Sequence, residues 1–540
     1  MNAPRPARDR VVSLVLLLGV VAMLGVRLHV LDDDFPNPDL AGIVYEAELI
    51  LDGGRPHVDT VGIKPPGAFV MVAAVIAALG RSLEAVQLAH ALWLLLGGLG
   101  VWWAARALHD REDEPQLGPR CAAIATAVYL VSAAMFSYNY SSWMTPAHAL
   151  AVGMAMRGLR RDSSRWQLGA GALALVAFVV IQRAAVLGLL LPALWMWARR
   201  RGWPGARPRV FALWILGAAA AVLPWVVWYA DALDTLWGAL VPVATALDYR
   251  AAAGGGSATS LVRGLGLVAT VFWFPLSLVV LAAVASRLDA ARDDRGLWVP
   301  GVAWLLVSVL GTSLGGMRFF LHYLVQYAPA FGLLAGHPAL ARLGARAMPP
   351  VAARGARVLA SVLAVAGIAQ LVEIGLGKGH RYEAMARRLS GGQTASQAAG
   401  AHIRQRSAPD DTIFAWGWTA WRVYYWAQRR SPSRVYRPLG AVTTFNTNTA
   451  FDPGRNIEFR DGPLARELIE AFDRHPPRYF VLSPSMVQTF GARPDPLHDF
   501  VALRDRLAAD YIPEAQFGDL RLFRRRTVAP GTTPPPLHER

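Results

Sequence analysis

The residues best suited to chemistry lie in one acidic stretch near the N-terminus, at positions 31–66. It contains Asp39, His57 and Asp59. Near its end lies Lys64, one of two lysines in the chain. A carboxylate beside a hydroxyl can accept its proton as a general base, and a lysine can hold a phosphate as a point charge. The combination predicts a site that acts on a hydroxyl and a phosphate, although any single acid here can equally be a solvated loop charge.

The composition around this stretch is that of a membrane protein. Apolar residues make up 54% of the 540 residues and charged residues 17%, against about 25% charged in a typical soluble protein. Many apolar runs approach the length of about twenty residues that a helix needs to cross a bilayer. Eleven runs predict spans, at 11–30, 83–105, 121–137, 143–156, 167–181, 184–198, 211–229, 262–286, 297–314, 319–336 and 357–376.

The distribution of arginine predicts the orientation of these spans. The net charge is +16, but the arginines concentrate in alternate short loops between apolar runs, as in cytoplasmic loops, so nucleic-acid binding is not expected. The run Pro66–Leu79 is short for a span. Every basic loop falls on the cytoplasmic side if this run lies along the membrane surface. The N-terminus is then cytoplasmic, and the stretch 31–66 is the first periplasmic loop.

The predicted fold is therefore a polytopic α-helical membrane protein with about 11 spans, one juxtamembrane helix and a C-terminal extracytoplasmic α/β domain. The boundaries are 1–377 for the membrane domain, 378–528 for the periplasmic α/β domain, and 529–540 for a disordered tail rich in Pro and Thr. The strong preference for arginine over lysine indicates a GC-rich bacterial genome and hence the bacterial inner membrane. Predicted strands lie at 412–417, 478–483 and 520–524, and predicted helices near 381–406, 463–475 and 496–509.

A further group of polar residues lies at the start of a late apolar run on the outer side. Arg318 precedes His322 and Tyr323 there. An arginine at the centre of a bilayer costs about 2.5–3.5 kcal/mol, so such residues normally face a polar cavity. A lipid phosphate would satisfy them, whereas simple snorkelling of Arg318 to the interface is the structural alternative.

The stretch from Asp39 to Lys64 resembles the first periplasmic loop of the integral-membrane glycosyltransferases of the C-type fold. These include protein O-mannosyltransferase-like and lipid A aminoarabinose transferase-like enzymes, which use polyprenyl-phosphate sugars. Arg183 and the segment from Arg318 to Tyr323 resemble later segments of the same family. Leu40 departs from the family pattern, which has Glu at that position. The positions that carry the first-loop resemblance are Asp39, Ala47, Gly53, Pro56, His57 in place of a Tyr, Asp59 and Lys64-Pro65-Pro66.

The resemblance implies transfer of a sugar from a polyprenyl-phosphate carrier to a hydroxyl of a glycan, lipid or protein at the periplasmic face. Asp39 would be the general base of a single, inverting displacement. No cofactor is expected, and the sequence does not support a metal site, although Asp39 with Asp59 or His57 could bind a divalent ion. The residues implied for the donor phosphate are Lys64, Arg183, Arg318, His322 and Tyr323, and those implied for the acceptor or the loop shape are Tyr45, His57 and Asp59.

Two other functions remain open from the sequence. A transporter or flippase of lipid-linked glycan intermediates would also need many spans and a cationic outer cavity. Such proteins often have repeated halves, and no internal repeat is recognisable here. A relative that has lost catalysis and only binds a glycan or lipid is the other alternative, because Leu40 departs from the pattern. The sequence leaves the sugar, the acceptor, the oligomeric state and the role of the C-terminal domain undetermined.

Overall fold

The computed structural model of the chain consists of two compact units. The first comprises Met1–Val58, Ile63–Ser390 and Asn448–Pro453, and the second comprises Asp59–Gly62, Gly391–Thr447 and Gly454–Arg540. The main division between the two units lies at residue 390. The sequence analysis predicted a domain limit at 377/378, and this limit stays a prediction. The structure describes residues 10–28, 34–35, 37–110, 112–136, 138–254, 256–288, 294–343, 387, 390–417, 420–452, 457–483, 497 and 500–526.

The described part of the first unit is helical. Its α-helices are α1 (Arg10–Leu28), α2 (Pro38–Leu51), α3 (Gly67–Leu79), α4 (Leu83–His109), α5 (Leu117–Ala134), α6 (Tyr140–Arg161), α7 (Ser164–Val180), α8 (Leu187–Arg200), α9 (Arg209–Trp228), α10 (Leu233–Leu240), α11 (Val243–Ala252), α12 (Ala258–Val271), α13 (Trp273–Leu288), α14 (Trp298–Ser313), α15 (Ala328–Ala335) and α16 (Pro338–Leu343). Short 3-10 helices cover Gln182–Val186, Arg295–Leu297 and Leu321–Tyr327.

Several of these helices are suited to cross a membrane. Four described helices, α1, α4, α5 and α9, are long and apolar enough to span a bilayer, and α12 with α13 adds a fifth if the bent pair forms one span. On α9, the side chains of Ile215 and Val227 are 69% and 68% exposed, as expected of residues that face lipid. The chain is thus a helical, multi-pass type of protein, whereas the predicted total of about 11 spans stays a prediction. The run 357–376 lies outside the described residues.

Two apolar runs that were predicted as single spans are broken in the structure. The run 262–286 is divided between α12 and α13, whose axes differ by 86°. Pro275 explains the break, because it lacks an N–H and its ring would clash with the carbonyl of Val271, the last residue of α12. The run 319–336 begins as the 3-10 helix Leu321–Tyr327 and only then continues as α15. Hydropathy alone does not distinguish these arrangements from a straight helix.

The first unit packs its central helices through small residues. A Cβ atom added to Gly153 of α6 would lie 2.1 Å from the carbonyl oxygen of Gly100 on α4, and one added to Gly100 would lie 2.4 Å from the backbone of Ala149. Glycines at such crossings let helix backbones approach closely, which is how helices commonly associate where the hydrophobic effect is weak. α7 packs against α6, α3 packs against α4, and α2 packs against α3.

The second unit contains a four-stranded mixed sheet. Its strands are β1 (Ile413–Trp416), β2 (Tyr479–Leu482), β3 (Tyr511–Phe517) and β4 (Leu520–Arg525), in the order β1-β2-β4-β3, and its helices are α17 (Ala395–Gln405), α18 (Arg422–Ala427), α19 (Pro463–Arg474) and α20 (Val501–Asp510). The β1–β2 pair is parallel, and β4 is antiparallel to both β2 and β3. The α/β character and the three predicted strands are present. The predicted extracytoplasmic location of this unit stays a prediction.

One strand and one helix of the second unit were not predicted from the sequence. β3 contains Pro513, which argues against a strand, and the pairing shifts between Pro513 and Ala515 as in a bulge. The six-residue helix α18 is too short for a helical period to be recognised. The predicted tail 529–540 lies outside the described residues.

A carboxylate on β3 links three elements of this unit and makes its stability dependent on pH. Oε1 of Glu514 accepts hydrogen bonds from His402 Nε2 at 2.8 Å and Tyr479 Oη at 2.9 Å, and Oε2 accepts one from Arg524. Burial raises the pKa of Glu514, but these hydrogen bonds outweigh burial and hold the pKa below its ordinary value of 4.5. The charged form of Glu514 therefore stabilises the folded unit at neutral pH.

We expect Glu514→Gln to destabilise the second unit at pH 7 by about 1.5–3 kcal/mol, the range for a hydrogen bond to a charged group. Because the folded pKa is depressed, the wild-type advantage is present above pH 4.5 and is lost as the pH falls through the folded pKa. Hydrogen exchange of β3 and β4 amides in the full chain measures the difference across pH 7 to pH 3. The control is Glu467→Gln, which removes a half-exposed pair with Arg434 and should change stability by less than about 1 kcal/mol. An effect of Glu514→Gln that persists at pH 3 would contradict this account.

Candidate functional site

The first unit contains a cavity of about 380 Å³ whose wall is apolar except for a few polar side chains. The polar side chains are Lys64, Gln182, Arg183, Thr245, Tyr249 and Tyr323. Two cations and two phenols in the wall of a mainly apolar cavity can bind an anionic group attached to a hydrocarbon chain. The remaining lining residues are Ile63, Phe178, Ile181, Ala185, Leu240, Val241, Pro242, Val243, Ala246, Gly311, Leu314 and Gly315.

Lys64 is placed by a tight turn before α3. His57 adopts a left-handed conformation with φ of 67°, and its Nε2 donates to the carbonyl oxygen of Lys64 at 2.8 Å. Directly after the Lys-Pro-Pro sequence, α3 begins at Gly67, where an added Cβ would lie 2.5 Å from the carbonyl oxygen of Val179. Only glycine permits this approach of α3 to the end of α7. The Nζ of Lys64 then lies 5.8 Å from the ring centroid of Tyr140.

Arg183 faces the cavity from the 3-10 helix between α7 and α8. Its guanidinium carbon lies 3.8 Å from the ring centroid of Tyr323, in cation–π geometry. The hydroxyl groups of Tyr323 and Tyr249 are hydrogen-bonded at 2.8 Å. Gln182 fixes the neighbouring backbone by donating to the carbonyl oxygens of Ile63 at 3.1 Å and of a residue in α10 at 2.9 Å. The turn thus holds Arg183 and Lys64 against the same cavity.

Asp39 lies in the first turn of α2, within the stretch that was predicted to be a loop. Asn37 caps this helix by accepting a hydrogen bond from the N–H of Leu40 at 3.0 Å and is fixed by donating to Tyr138 O at 2.7 Å. Pro38 at the first helical position has the backbone angle that a helix requires. Asp39 is half-buried, and its negative charge acts on Arg183. The helix N-terminus favours the ionised carboxylate.

Arg318 lies in a strained turn and is almost fully buried, at 1% exposure. Met317 and Phe319 on either side have φ of 54° and 46°, and Gly316 has φ of 78°. Non-glycine residues in this region cost about 1–3 kcal/mol each and persist only where the surroundings enforce them. The guanidinium of Arg318 donates to two backbone carbonyls, those of Asn448 and Tyr249, each at 2.8 Å. The phosphate-binding role predicted for Arg318 stays a prediction.

The remaining predicted site residues are not among those that line the cavity. His322 is half-buried, its ring centroid lies 4.5 Å from that of Tyr323, and the positive charges of Arg183 and Lys64 act on it. Tyr45 is buried within α2 at 6% exposure. Asp59 is exposed and belongs to the segment Asp59–Gly62, which packs with the second unit. Lys64, Arg183 and Tyr323 therefore share one cavity, with Asp39 and His322 in electrostatic range of it.

Tyr249 is a functional candidate that sequence reasoning missed. It lies on α11, between the predicted spans 211–229 and 262–286. A single tyrosine in a loop carries no pattern, and α10 and α11 are only 8 and 10 residues long. The one feature of the sequence that could have indicated structure in this stretch is the apolar segment Leu240-Val-Pro-Val243, where α10 is joined to α11.

A metal site is not evident among the residues that the structure describes. No three His, Cys, Asp or Glu side chains come together there as a metal ion would require. Asp39 and His57 lie on different elements, and Asp59 packs with the second unit.

Comparison with known proteins identifies the fold class. No protein-family profile matches the sequence, and no curated protein matches it significantly. The structure is similar to ArnT from Cupriavidus metallidurans bound to undecaprenyl phosphate, with a TM-score of 0.58, 15% identity, and coverage of 95% of this chain and 98% of that chain. This similarity shows the C-type fold of membrane glycosyltransferases and confirms, at the level of the fold, the resemblance noted in the sequence.

The same ArnT in the apo state gives a TM-score of 0.60 at 16% identity, again covering 95% of this chain and 98% of that chain. The archaeal oligosaccharyltransferase AglB from Archaeoglobus fulgidus, in complex with an inhibitory peptide and a dolichol-phosphate, gives a TM-score of 0.47 at 11% identity. That match covers 88% of this chain and 69% of the AglB chain.

Proposed function

We propose that this protein is a membrane glycosyltransferase that moves a sugar from a polyprenyl-phosphate carrier to a hydroxyl acceptor. The observation that carries the proposal is the convergence of Lys64 and Arg183 on one apolar cavity. Cations recognise the phosphate, and apolar walls suit the first isoprenoid units. The similarity in fold to ArnT, which was solved with undecaprenyl phosphate bound, supports the same ligand class.

The donor phosphate is the leaving group in this proposal. Lys64 contributes a compact charge, and Arg183 contributes a guanidinium oriented by its contact with the Tyr323 ring. As the bond between the anomeric carbon and the phosphate oxygen breaks, its electron pair moves onto the phosphate. Tyr323 and His322, adjacent to these cations, complete the surroundings of the phosphate. Fixed charges aimed at a developing negative charge are usually the largest catalytic contribution that a protein makes.

Asp39 is the proposed general base. Its carboxylate takes the proton of the acceptor hydroxyl while that oxygen forms the new bond to the anomeric carbon. Because attack and departure occur on opposite sides in a single displacement, the anomeric configuration inverts. The products are the glycosylated acceptor and the polyprenyl phosphate. His57 shapes the site through its hydrogen bond to the Lys64 carbonyl, and Tyr45 does so by packing within α2. Asp59 is proposed only to shape the loop.

The proposed setting is the bacterial inner membrane with a periplasmic acceptor. The arginine-rich loops support this orientation, because positive loops remain cytoplasmic. The acceptor is a glycan, lipid or protein hydroxyl, and no metal takes part in the proposed steps.

Mass spectrometry of envelope glycans tests the proposal in a deletion strain, the strain complemented with wild type, and the strain complemented with Asp39→Asn. We expect one sugar to disappear on deletion, to return with wild type and to stay missing with Asp39→Asn. Restoration of the sugar by Asp39→Asn would instead favour transport of a lipid-linked intermediate, which needs no base.

A further inference from the structure

Arg318 is held by a short segment from the C-terminal part of the sequence, residues 448–452, here named the 448–452 arm. The contacts between Arg318 and this arm are called the clasp. The guanidinium donates to the carbonyl oxygen of Asn448 at 2.8 Å. In return, the carbonyl oxygen of Arg318 accepts a hydrogen bond from the N–H of Ala450 at 2.8 Å. The Phe451 ring lies 6.3 Å from that of Phe319. The arm belongs to the same compact unit as the cavity.

The clasp continues to the cavity through two tyrosines. A second N–H group of Arg318 donates to the carbonyl oxygen of Tyr249 at 2.8 Å, and its guanidinium carbon lies 4.0 Å from the Tyr249 ring centroid. The Tyr249 hydroxyl is bonded to that of Tyr323, and Arg183 stacks on the Tyr323 ring. The order of contacts is arm, Arg318, Tyr249, Tyr323 and Arg183, and its last three members line the cavity.

We propose that the 448–452 arm, acting through Arg318 and Tyr249, positions Tyr323 and Arg183 and so sets the affinity of the cavity for a lipid phosphate. This inference rests on the proposed function, and it gives Arg318 a different role from the one implied by resemblance. Arg318 is 1% exposed and donates to two backbone carbonyls. It is therefore a positioning residue, and Lys64 and Arg183 hold the phosphate.

Arginine is suited to this role for a geometric reason. Its planar guanidinium presents N–H groups in a rigid fork, so it can bond two carbonyls in different directions while it stacks on an aromatic ring. A lysine keeps the charge but has no such fork. The two roles therefore predict different results for Arg318→Lys. If Arg318 binds the phosphate, lysine should preserve much of the affinity. If Arg318 holds the arm, lysine should lose this effect.

The test uses the purified full chain in detergent, with undecaprenyl phosphate as the probe. Ala450→Pro removes the N–H that bonds Arg318 and changes no charge, whereas Ala450→Gly keeps this N–H. We expect Ala450→Pro to weaken binding at least about fivefold and Ala450→Gly to stay within about twofold of wild type. Hydrogen exchange should also rise in the 3-10 helices Gln182–Val186 and Leu321–Tyr327 for Ala450→Pro, because their side chains lose support.

Arg318→Lys provides an independent measurement if Ala450→Pro fails to fold. We expect it to weaken binding as much as Ala450→Pro does, and the double variant to bind no more weakly than either single one, because both changes break one clasp. Binding and exchange that stay at wild-type values in both variants would overturn the inference while the proposed function stands. A wild-type protein that does not bind undecaprenyl phosphate would overturn the proposed function instead. The exchange data would still decide whether the arm supports the two helices.

Discussion

Asp39→Asn should lower turnover by about a hundredfold to ten-thousandfold, the range that general-base catalysis contributes. The amide is nearly the same size as the carboxylate, but it cannot accept the hydroxyl proton at neutral pH. Binding of the polyprenyl-phosphate donor should be retained, because Lys64 and Arg183 remain in place. The measurement is turnover and donor KM for the purified protein, with donor and acceptor supplied in detergent.

The matched control for this prediction is Asp52→Asn. Asp52 is an exposed carboxylate that follows the same helix at its opposite end, so the change removes one negative charge from α2 without touching its first turn. Turnover of Asp52→Asn should remain close to that of wild type. Equal losses in the two variants would mean that the charge of α2, rather than a base at Asp39, is what matters.

Arg183→Gln should weaken binding of the lipid phosphate by about ten- to a hundredfold. A hydrogen bond to a charged group contributes about 1.5–3 kcal/mol, and each 1.4 kcal/mol corresponds to a tenfold change in affinity. Glutamine also loses the cation–π contact with Tyr323. Titration of the purified protein with undecaprenyl phosphate measures the change. Turnover should fall with it, because the proposed mechanism also assigns Arg183 to stabilise the departing phosphate.

Arg263→Gln serves as the control for charge alone. Arg263 is an exposed arginine on α12 and does not line the cavity, so its replacement lowers the net charge by the same amount. Its affinity for the lipid phosphate should match that of wild type at constant salt. If both variants bind equally weakly, a diffuse positive field rather than a defined site attracts the lipid.

The site residues that the sequence predicted are polar or charged side chains at the ends of apolar runs. Composition marked Lys64, because lysine is rare in this chain, whereas the resemblance to a family marked Arg183 and Tyr323. Their convergence depends on the approach of Gly67 to Val179, which no local pattern reveals. The resemblance to a family supplied that grouping, and the structure places all three in one cavity.

The parts that the sequence did not reveal depend on backbone geometry. The apolar runs 262–286 and 319–336 have the composition of spans, but Pro275 breaks the first and a 3-10 helix begins the second. The burial of Arg318 also depends on left-handed residues at Met317 and Phe319, which side-chain type does not predict. Hydropathy reports how apolar a segment is, and it says little about how that segment bends.

The rarity of lysine has a practical consequence for following this site. Of the 54 basic residues in the chain, two are lysines, and one of these, Lys64, lies in the cavity wall. Besides the α-amino group, an amine-selective acylating reagent therefore has two targets, Lys64 and Lys378. Peptide mapping of acylated Lys64, normalised to Lys378, would give a covalent footprint of cavity occupancy in intact membranes. The extent of Lys64 acylation would thus measure cavity occupancy without an engineered label.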